Sequence, residues 1–554
     1  KFRNRGWAWP SWIGYAERRM SKEKLNTRAA GIVALAVMLS RVLGLARELI
    51  FAALFGAGRG MDAYITAYRA PNLLRDLFAE GALSVAFVTV FSKLGVERSY
   101  EAAWELARKM ATLALVFMTF VTLLGIIFAP ALIGVLAPGF DAGKSAFAVE
   151  LTRIMFPFIL MVSLAALVMG MLNSRNVFGV PALASSFYNL GSIFGGVTIA
   201  WLIDPTFGPR ALIGMAIGTL IGGFLQLAVQ IPSLKKVGFT FHFDFGWRDE
   251  QVKRVLWLML PAVIAASAVQ VNVMVNSIFA SYLGDGAVSW LSYAFRLMQL
   301  PLGIFGVAVA TVTLPAVSKI AAGGDMAHFR ETLAKAIRLA LFLTLPATIG
   351  LMMMSNEIIG LIYERGKFTV DDTMQTGVAL KFYAIGLMGY ACIKVLSPAF
   401  YALERKWTPM LVTFFGIGLN IVLNWQLTFR MGLGHKGLAL STGLVATIDF
   451  FILYFLMRRA AGGMETFKVL GSFGRIVVAA AGLAAVCLFG REWLAPWLGA
   501  SSLVDRAWSL LAIIGAAAAV YFALCALLRV EEAREALDLI KRKISRRAVS
   551  PPGA

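Results

Sequence analysis

The strongest constraint on this chain is a set of arginines inside stretches that are otherwise as apolar as membrane-spanning helices. Arg41 and Arg47 interrupt the segment LAVMLSRVLGLARELIFAALF. Arg75 and Arg296 lie in two later stretches of the same kind. An arginine at the centre of a spanning helix costs about 2.5–3.5 kcal/mol on insertion scales, so four represent on the order of 10 kcal/mol. Such residues persist where they face water or an anion, and the sequence therefore predicts a hydrated cavity within the membrane.

Composition predicts the fold class. The chain has 554 residues, of which 59% are hydrophobic and 15% charged. Apolar runs of roughly 20 residues, each long enough to cross about 30 Å of hydrocarbon, recur from Ile32 to Leu528 and leave no room for a large soluble domain. Backbone groups in lipid must pair within their own segment, and the runs lack the alternation of barrel strands. We predict an all-α polytopic membrane protein with about fourteen transmembrane helices.

The apolar runs divide the chain into lobes. The predicted spans lie near residues 30–55, 73–97, 104–134, 147–172, 181–203, 211–233, 254–283, 287–318, 328–354, 374–400, 408–430, 436–458, 470–491 and 504–529. The predicted units are a cytoplasmic N-terminal segment (1–29), an N-lobe of spans 1–6 (30–235), a C-lobe of spans 7–12 (236–460), a C-terminal helix pair of spans 13–14 (461–530) and a cytoplasmic tail (531–554). The tail has the apolar residues of a short amphipathic helix, namely Ala536, Leu537, Leu539 and Ile540.

An internal repeat relates the two lobes. Ile50-Phe51-Ala52 returns as Ile278-Phe279-Ala280, Gly56-x-Gly58 as Gly284-x-Gly286, and Ser92-Lys93 as Ser318-Lys319, at offsets of 228, 228 and 226 residues. Chance matching of small apolar residues is the competing explanation, and the near-constant offset argues against it. Because six spans separate the repeats, both lobes should enter the membrane in the same direction, as in transporters built from parallel repeats.

Basic residues account for the net charge of +21 and predict the orientation. They concentrate in alternate loops, for example at Lys93 and Lys235, whereas the intervening loops around Gly58 and Asp141 are short and nearly uncharged. This pattern favours the positive-inside rule over nucleic-acid binding and places both termini in the cytoplasm. Residues 1–19 combine arginine with three tryptophans but lack the apolar core of a signal peptide, so we expect an interfacial extension or a start at Met20.

Catalytic and metal-binding patterns are absent from the sequence. The cysteines at 392, 487 and 525 lie in apolar segments without CxxC spacing, and the three histidines are scattered. These features indicate neither a disulfide framework nor a zinc site. A membrane enzyme acting on polyprenyl phosphates would need clustered aspartates, but Asp371-Asp372 has no downstream acid. We therefore expect a transporter and no enzyme, cofactor or metal centre.

Helical geometry limits the first span. Arg41 and Arg47 are six residues apart and point about 120° away from each other, so both reach one cavity only if the helix bends, for which Gly44 is a candidate. Arg41 and Glu48 fall on nearly the same face and are candidates for an ion pair in the empty cavity. Alternatively, Glu48 permanently neutralises one arginine and the other reaches the interface.

Two further segments add polar groups. The segment that leads into the second span has Asp62 at a helix start and is expected to break at Pro71 before Arg75, and its irregular backbone should line protein or water. Arg296 has no acid within ten residues and is followed by Pro301, which indicates a flexible helix without an internal ion pair. Guanidinium groups offer bidentate donors that match phosphate, so a diphosphate could engage several arginines together. The predicted ligand is a phosphorylated amphiphile.

Several long motifs resemble one family. They are SRVLGLARE (40–48), FGAGRGMDAY (55–64), APNLLRDLFAEGALSVAFV (70–88), APGF (137–140), RGKFT (365–369) and KVLSPAFYALERKWTP (394–409). In this order they resemble the MurJ (MviN) family of lipid II flippases, from about Met20 to the tail. The resemblance implies the fold of the multidrug/oligosaccharidyl-lipid/polysaccharide exporter superfamily, with two six-helix lobes around a central cavity and two C-terminal helices that form a groove for a lipid tail.

The resemblance also implies a substrate and its site. The substrate is lipid II, the undecaprenyl-diphosphate-linked peptidoglycan precursor, moved to the outer leaflet of the bacterial cytoplasmic (inner) membrane. The implied diphosphate-binding residues are Arg41, Arg47, Arg75 and Arg296, the four that the insertion cost selects. Polar residues expected at the cavity or its gates are Glu48, Asp62, Asn72, Glu80 and Lys394, of which Lys394 is equally a candidate headgroup contact.

Two departures from the family pattern concern charge. The arginine of the eighth span is often flanked by acids, whereas this chain has Phe295 and Gln299. Some relatives bind sodium in the C-lobe through acidic ligands, but here spans seven and eleven offer only Asn272, Asn276, Asn420 and Asn424. Asn420 and Asn424 are therefore weak candidates for a cation site, because hard cations favour charged oxygen ligands.

The expected mechanism is alternating access, in which the diphosphate enters between spans one and eight. Transport is expected to be coupled to the membrane potential or to a monovalent cation. The protein is expected to be a monomer that binds lipid II and membrane lipids and works beside other cell-wall synthesis proteins. The alternatives are a cation-coupled drug exporter, which should have an acidic, aromatic cavity, another polyprenyl-diphosphate exporter of the superfamily, and a passive anion channel. The intramembrane arginines argue against the drug exporter.

Overall fold

The computed structural model describes residues 27–76, 83–500 and 502–535, and these residues form helices and connecting turns with no strand among them. Ten helices in this described part are long and apolar enough to cross a membrane, or eleven if the bent pair Val370–Ala384 and Leu387–Ala402 is one span. The all-α, multi-pass fold is thus confirmed. The count of fourteen spans remains a prediction.

The helices of the first half run from one predicted lobe boundary to the next. They are α1 (Thr27–Phe55), α2 (Arg59–Arg75), α3 (Ser84–Glu97), α4 (Tyr100–Ile127), α5 (Ala129–Leu136), α6 (Ala142–Met155), α7 (Phe158–Ser174), α8 (Gly179–Ile203), α9 (Leu212–Ala228) and α10 (Ile231–Lys236). A single 3₁₀ turn, Pro209–Ala211, precedes α9.

The second half continues the pattern. Its helices are α11 (Glu250–Ser281), α12 (Ala287–Pro301), α13 (Val307–Ala322), α14 (Met326–Met353), α15 (Ser355–Tyr363), α16 (Val370–Ala384), α17 (Leu387–Ala402), α18 (Trp407–Trp425), α19 (His435–Ala460), α20 (Thr466–Trp493), α21 (Ala495–Leu498) and α22 (Leu503–Leu527). Two segments have the wider π-helical form. Leu302–Gly306 joins α12 to α13, and Gln426–Arg430 follows α18. The part of the helix after Arg296 that we predicted to be flexible contains the π-helical segment Leu302–Gly306.

The second span differs from its prediction. We expected a helix start at Asp62, a break at Pro71 and a span from about residue 73. Instead, α2 is helical from Arg59 to Arg75 with Pro71 inside it. Proline removes a single backbone hydrogen bond, and packing against neighbouring helices compensates for that loss within a bundle. Ala70 and Pro71 are both buried, which provides this packing.

Glycine spacing explains the closest helix pair. Gly214, Gly218 and Gly222 recur every four residues on α9, so they lie on one face against α8. A Cβ on Gly218 would lie 2.3 Å from the Cα of Gly196. Only glycine permits this backbone approach, and the pair α8–α9 is thereby a rigid wall of the N-lobe.

Helix α11 links the two lobes. Val252 and Val255, near its start, belong to the buried core around α3 and α4 of the N-lobe. Farther along the helix, Asn276 accepts a hydrogen bond from Asn424 of α18 in the C-lobe. The boundary between the lobes at residue 236 stays a prediction, and α11 packs on both sides of the division.

The C-terminal helices pack on the outside of the C-lobe. Tyr521 of α22 is buried and its hydroxyl donates to the Phe342 carbonyl of α14 at 2.7 Å. After α22, Glu531 and Glu532 each lie 2.9 Å from the Arg338 guanidinium, which attaches this segment to α14. The amphipathic helix predicted for the tail lies outside the described residues.

Candidate functional site

The two lobes meet at one end of the bundle, which we call the closed end and define by residues 53–62, 137–144, 204–208, 281–289 and 364–369. Asp62 of α2 is fully buried there. Its carboxylate accepts hydrogen bonds from the backbone N–H groups of Gly286 and Ser289, at 2.7 and 2.8 Å, and from the Ser289 hydroxyl at 2.6 Å. Because Ser289 lies in the first turn of α12, Asp62 caps that helix from the opposite lobe.

A buried lysine completes this contact. The Lys144 ammonium lies 2.8 Å from Asp62 and 2.9 Å from Asp285, so it bridges an acid of each lobe. Both Lys144 and Asp62 are at most 4% exposed. Breaking a buried pair of this kind costs about 3–5 kcal/mol when one partner is removed, so the network holds the end shut.

Shallower contacts surround the buried pair. The backbone N–H of Lys367 donates to the Ala53 carbonyl at 2.8 Å, and its ammonium donates to the Thr206 and Phe207 carbonyls. Arg59 donates to Asp141 and lowers the pKa of that exposed carboxyl to about 2. A carboxyl with a depressed pKa keeps its charge until the pH falls through that value, so this ion pair persists at neutral and mildly acidic pH.

Beneath the closed end lies a cavity of about 600 Å³ between α2 of the N-lobe and helices α11, α12 and α16–α19 of the C-lobe. Its charged and amide side chains are Arg69, Asn272, Asn276, Arg296, Gln299 and Asp449. The cavity is large enough for a diphosphate group and holds two guanidinium groups from opposite lobes.

Arg296 forms an ion pair with Glu48 of α1. The arginine side chain is 52% exposed and the glutamate side chain 10%, so the guanidinium remains open to the cavity while its partner is buried. The pairing of Arg41 with Glu48 that we expected is replaced by this contact between lobes. Residues seven apart on a helix are separated by about 10 Å along its axis, which explains why Glu48 instead pairs across the cavity.

Arg47 faces the N-lobe. Its guanidinium lies 5.0 Å from the ring centre of Tyr188 on α8 and 6.0 Å from that of Phe51. The hydroxyls of Tyr188 and Tyr68 are 3.2 Å apart beside it. Aromatic faces stabilise a cation where water is scarce, and among the described residues no acid forms an ion pair with Arg47.

Arg41 points in another direction, as the helical spacing predicts. It is exposed, and a Cβ built on Gly303 of the π-helical segment after α12 would lie 3.8 Å from its Nη1. Helix α1 runs without interruption through Gly44, which packs on Asn189 of α8. The bend expected at Gly44 is therefore not a helix break, and Arg41 lies where α1 approaches the eighth predicted span.

The arginines occupy two depths. Arg47, Arg69 and Arg296 are eight to ten residues from the closed ends of α1, α2 and α12, or about 12–15 Å at 1.5 Å per residue. Arg41 and Arg75 are fourteen and sixteen residues away, or about 21–24 Å. A ligand moving toward the closed end would thus meet one level of guanidinium groups and then the other.

Arg69 is a site residue that the sequence analysis missed. It lines the cavity and donates a hydrogen bond to Ser277 of α11. We placed the start of the second span after it, so it counted as part of a loop. Its position six residues before Arg75 in an otherwise neutral segment was the available signal, since two arginines at that spacing fit a single polar helix.

The other predicted polar residues separate into groups. Arg75 pairs with Asp76 at 2.9 Å, and Asp76 also accepts hydrogen bonds from Asn72 and Gln270. Lys394 is exposed on α17. Glu80 lies outside the described residues. Asn72 and Arg75 therefore belong to a polar contact between α2 and α11, while the roles predicted for all of these residues remain predictions.

The asparagines do not fit a cation. The Asn424 amide donates to the side-chain oxygens of Asn276 and Asn420 at 2.9 and 3.0 Å, and Ser441 donates to the Asn424 oxygen. The side-chain oxygens that a metal would need thus already accept hydrogen bonds from an amide or a hydroxyl group, and none of them carries a negative charge. Among the described residues, no group of three or more histidines, cysteines or acids could hold a metal ion. Sodium at Asn420 and Asn424 is not supported by this donor set.

Comparison with known proteins identifies the family. A family model described as "Lipid II flippase MurJ" matches residues 51–507. The "Probable lipid II flippase MurJ" of Vibrio cholerae serotype O1 is 34% identical over 509 residues, covering 90% of this chain and 95% of that protein. The chain belongs to the lipid II flippase MurJ family. The "Lipid II flippase MurJ" of Burkholderia cenocepacia is 35% identical over 467 residues, covering 82% and 89% of the two chains.

Solved structures agree with the family assignment. The structure "Lipid II flippase MurJ, inward closed conformation" matches with a TM-score of 0.70 and 27% identity, over 89% of this chain and 98% of the other. An inward-facing MATE-family multidrug resistance transporter matches with a TM-score of 0.62 and 16% identity, over 78% and 98%. The second likeness shows the shared fold alone. The family resemblance inferred from the sequence motifs is confirmed.

Proposed function

We propose that this protein is a lipid II flippase, which carries the undecaprenyl-diphosphate-linked peptidoglycan precursor from the cytoplasmic to the outer leaflet of the bacterial inner membrane. The observation that carries the proposal is the level of guanidinium groups formed by Arg47, Arg69 and Arg296 at and beside a cavity between the lobes. Family membership supports the same substrate. No catalytic residue is required, because the chemistry is binding and release.

The guanidinium groups lower the barrier that a diphosphate meets in a membrane. Moving bare phosphate charges into hydrocarbon is prohibitive, because the low dielectric leaves their charge unsolvated. Arginine donors replace the lost water with charge-assisted, bidentate hydrogen bonds. Arg296 reaches the cavity from the C-lobe and Arg69 from the N-lobe, so one bound diphosphate would join both lobes.

The charges of the loops orient this mechanism. The closed end consists of short loops in which acids and bases nearly balance, and the positive-inside rule assigns such loops to the outside. If both termini are cytoplasmic, as this rule predicts, the closed end would face outward and the cavity would receive its ligand from the cytoplasmic side. The headgroup would enter between α1 and the π-helical segment after α12, where Arg41 lies near Gly303.

The remaining parts of the mechanism follow from the chain's periphery. Helices α20 and α22 pack outside the C-lobe and carry exposed apolar side chains such as Phe489 and Trp508, which would accompany the lipid tail in the bilayer. The membrane potential, worth about 2.3 kcal/mol per charge per 100 mV, would draw the positively charged empty cavity back toward the cytoplasm. The protein would act as a monomer beside other cell-wall synthesis proteins.

The test is leaflet-specific labelling of lipid II in cells depleted of this protein. Expression of the wild type should return lipid II to the outer leaflet, whereas Arg296→Ala and Arg47→Ala should leave it in the cytoplasmic leaflet although both variants insert. Arg98→Ala, which removes an exposed arginine at the end of α3, is the matched control and should behave as wild type.

A further variant separates lost charge from lost stability. Arg296→Ala leaves Glu48 buried without its partner, so the double variant Arg296→Gln with Glu48→Gln removes both charges and leaves two neutral amides at these positions. It should insert as well as wild type and still fail to flip. Full activity of Arg47→Ala, or of the double variant, would reject the arginine site.

A further inference from the structure

One carboxylate of the cavity has no role in the arginine site. Asp449, in the middle of α19, lines the cavity on its C-lobe side. Its Oδ1 is buried and, among the described residues, has no hydrogen-bond partner. An ionised carboxylate without a partner is costly at membrane depth, so its position calls for a cation or a proton.

A niche in the neighbouring helix holds this carboxylate. A Cβ on Gly416 of α18 would lie 2.4 Å from Asp449 Oδ2 and 2.9 Å from Oδ1. No side chain other than hydrogen fits at that distance. The absence of a Cβ at Gly416 therefore leaves space for the carboxylate and brings it against the backbone of α18.

The described groups that line the cavity with Asp449 form no ion pair with it. Helix α18 presents Thr413 and Gly416, α11 presents Asn272 and Asn276, and α16 and α17 present Tyr383 and Tyr390. The cations on the cavity wall are otherwise engaged, since Arg296 pairs with Glu48 and Arg69 donates to Ser277. Lys394 on α17 is exposed and is not among the residues that line the cavity. No ion pair to Asp449 is present within the described part of the chain.

We propose that Asp449 is a reversible proton-binding site that sets the charge of the transport cavity. The site rests on the proposed function, because the cavity is the one that would hold the lipid diphosphate. A proton satisfies one carboxylate alone, whereas sodium requires several oxygen ligands, and the nearby asparagines already bond to one another. The cavity thus has a cation site that differs from a sodium centre in both place and chemistry.

Electrostatics determines whether anion binding at the arginines favours or opposes proton binding at Asp449. An anion bound at the arginines disfavours a second negative charge on the same cavity wall, so it favours the protonated form of Asp449. Linkage is reciprocal, and a protonated Asp449 therefore favours the bound anion. In the empty cavity the positive arginines favour the ionised carboxylate, which releases its proton to the cavity water.

Difference infrared spectroscopy of the purified full-length protein tests this assignment, with pH and inorganic diphosphate as the probes. Acidification should produce the carbonyl band of a protonated carboxyl group in wild type, and Asp449→Asn should lack that band. Diphosphate should shift the midpoint of the titration to higher pH. Asp371→Asn, which removes an exposed acid in the first turn of α16, is the control and should keep the band.

Gly416→Ala is a second variant, which tests the proposal even if Asp449→Asn fails to fold. It keeps the carboxylate but fills its niche, so the titration midpoint should move. A wild-type spectrum in Asp449→Asn, an unmoved midpoint in Gly416→Ala, or a carboxylate signal that responds to sodium at constant pH would each overturn the proton site. Failure of wild type to flip lipid II would instead overturn the proposed function, while the infrared assignment would stand.

Discussion

The ion pair between Arg296 and Glu48 determines how strongly the empty cavity attracts an anion. Glu48→Gln removes a competitor for the guanidinium, and partly exposed pairs are worth about 0.2–1 kcal/mol, so diphosphate should bind up to about 5-fold more tightly. Arg296→Ala removes a charge-assisted hydrogen bond worth about 1.5–3 kcal/mol and should weaken binding by about 10-fold or more. Isothermal titration with inorganic diphosphate measures both changes. Weaker binding in Glu48→Gln would show that the acid supports the ligand site.

Single residues also mark the limit of sequence reasoning. The insertion cost alone selects Arg41, Arg47, Arg75 and Arg296, and the structure places Arg296 on the cavity wall. The partner of Arg296 could not be predicted, because Glu48 is 248 positions away and its own neighbours offered a nearer arginine. Asp449 was overlooked because one acid in an apolar run has no sequence pattern. Its meaning depends on Gly416 of another helix.

At the scale of elements, helix α12 depends on a cap from the opposite lobe. Asp62→Asn keeps the size of the side chain but loses the charge that pairs with Lys144, so the closed end should open more often and the folded state should lose about 3–5 kcal/mol. Maleimide labelling of Ala57→Cys, a buried position of the closed end, should become faster in Asp62→Asn. The three native cysteines are buried and should contribute little background. Asp371→Asn should label at the rate of the parent.

The glycine face of α9 predicts a local effect on stability. Gly218→Ala introduces a Cβ at 2.3 Å from the Gly196 Cα, and overpacking of this kind costs about 1–3 kcal/mol. The melting temperature in detergent should fall. Gly350→Ala in α14 is the matched control, because nothing lies within 4 Å of its Cβ and alanine favours a helix. Equal melting temperatures for the two variants would contradict close packing of α8 and α9.

Element prediction succeeded where hydropathy alone decides. The predicted span 254–283 corresponds to Glu250–Ser281, and 504–529 to Leu503–Leu527. The second span failed because polar residues and Pro71 lowered its hydropathy, although neighbouring helices supply the burial that keeps α2 helical. The repeat places Gly58 and Gly286 alike, since each immediately precedes a helix, α2 and α12. The local sequence predicts where these helices begin, but it does not predict how the two lobes pack against each other.

For the whole molecule, alternating access requires the closed end to separate while α11 keeps the lobes connected. Asp141 and Asp285 lie on opposite sides of this end, and both approach Arg59. A short, reducible thiol cross-linker between Asp141→Cys and Asp285→Cys should therefore stop lipid II flipping, and reduction should restore it. Leaflet-specific labelling before and after reduction provides the measurement.

The control is the same cross-linker within one part of the chain. Lys468 and Glu465 are in contact at the start of α20, so a bridge between cysteines at these positions spans no moving interface. It should leave flipping unchanged. If the bridge between positions 141 and 285 also left flipping unchanged, then the lobes would not need to part at the closed end, and the headgroup would have to leave by another route. The buried pair of Asp62 and Lys144 makes that outcome physically costly, because a channel through the intact contact would have to pass groups that are fully hydrogen-bonded and excluded from water.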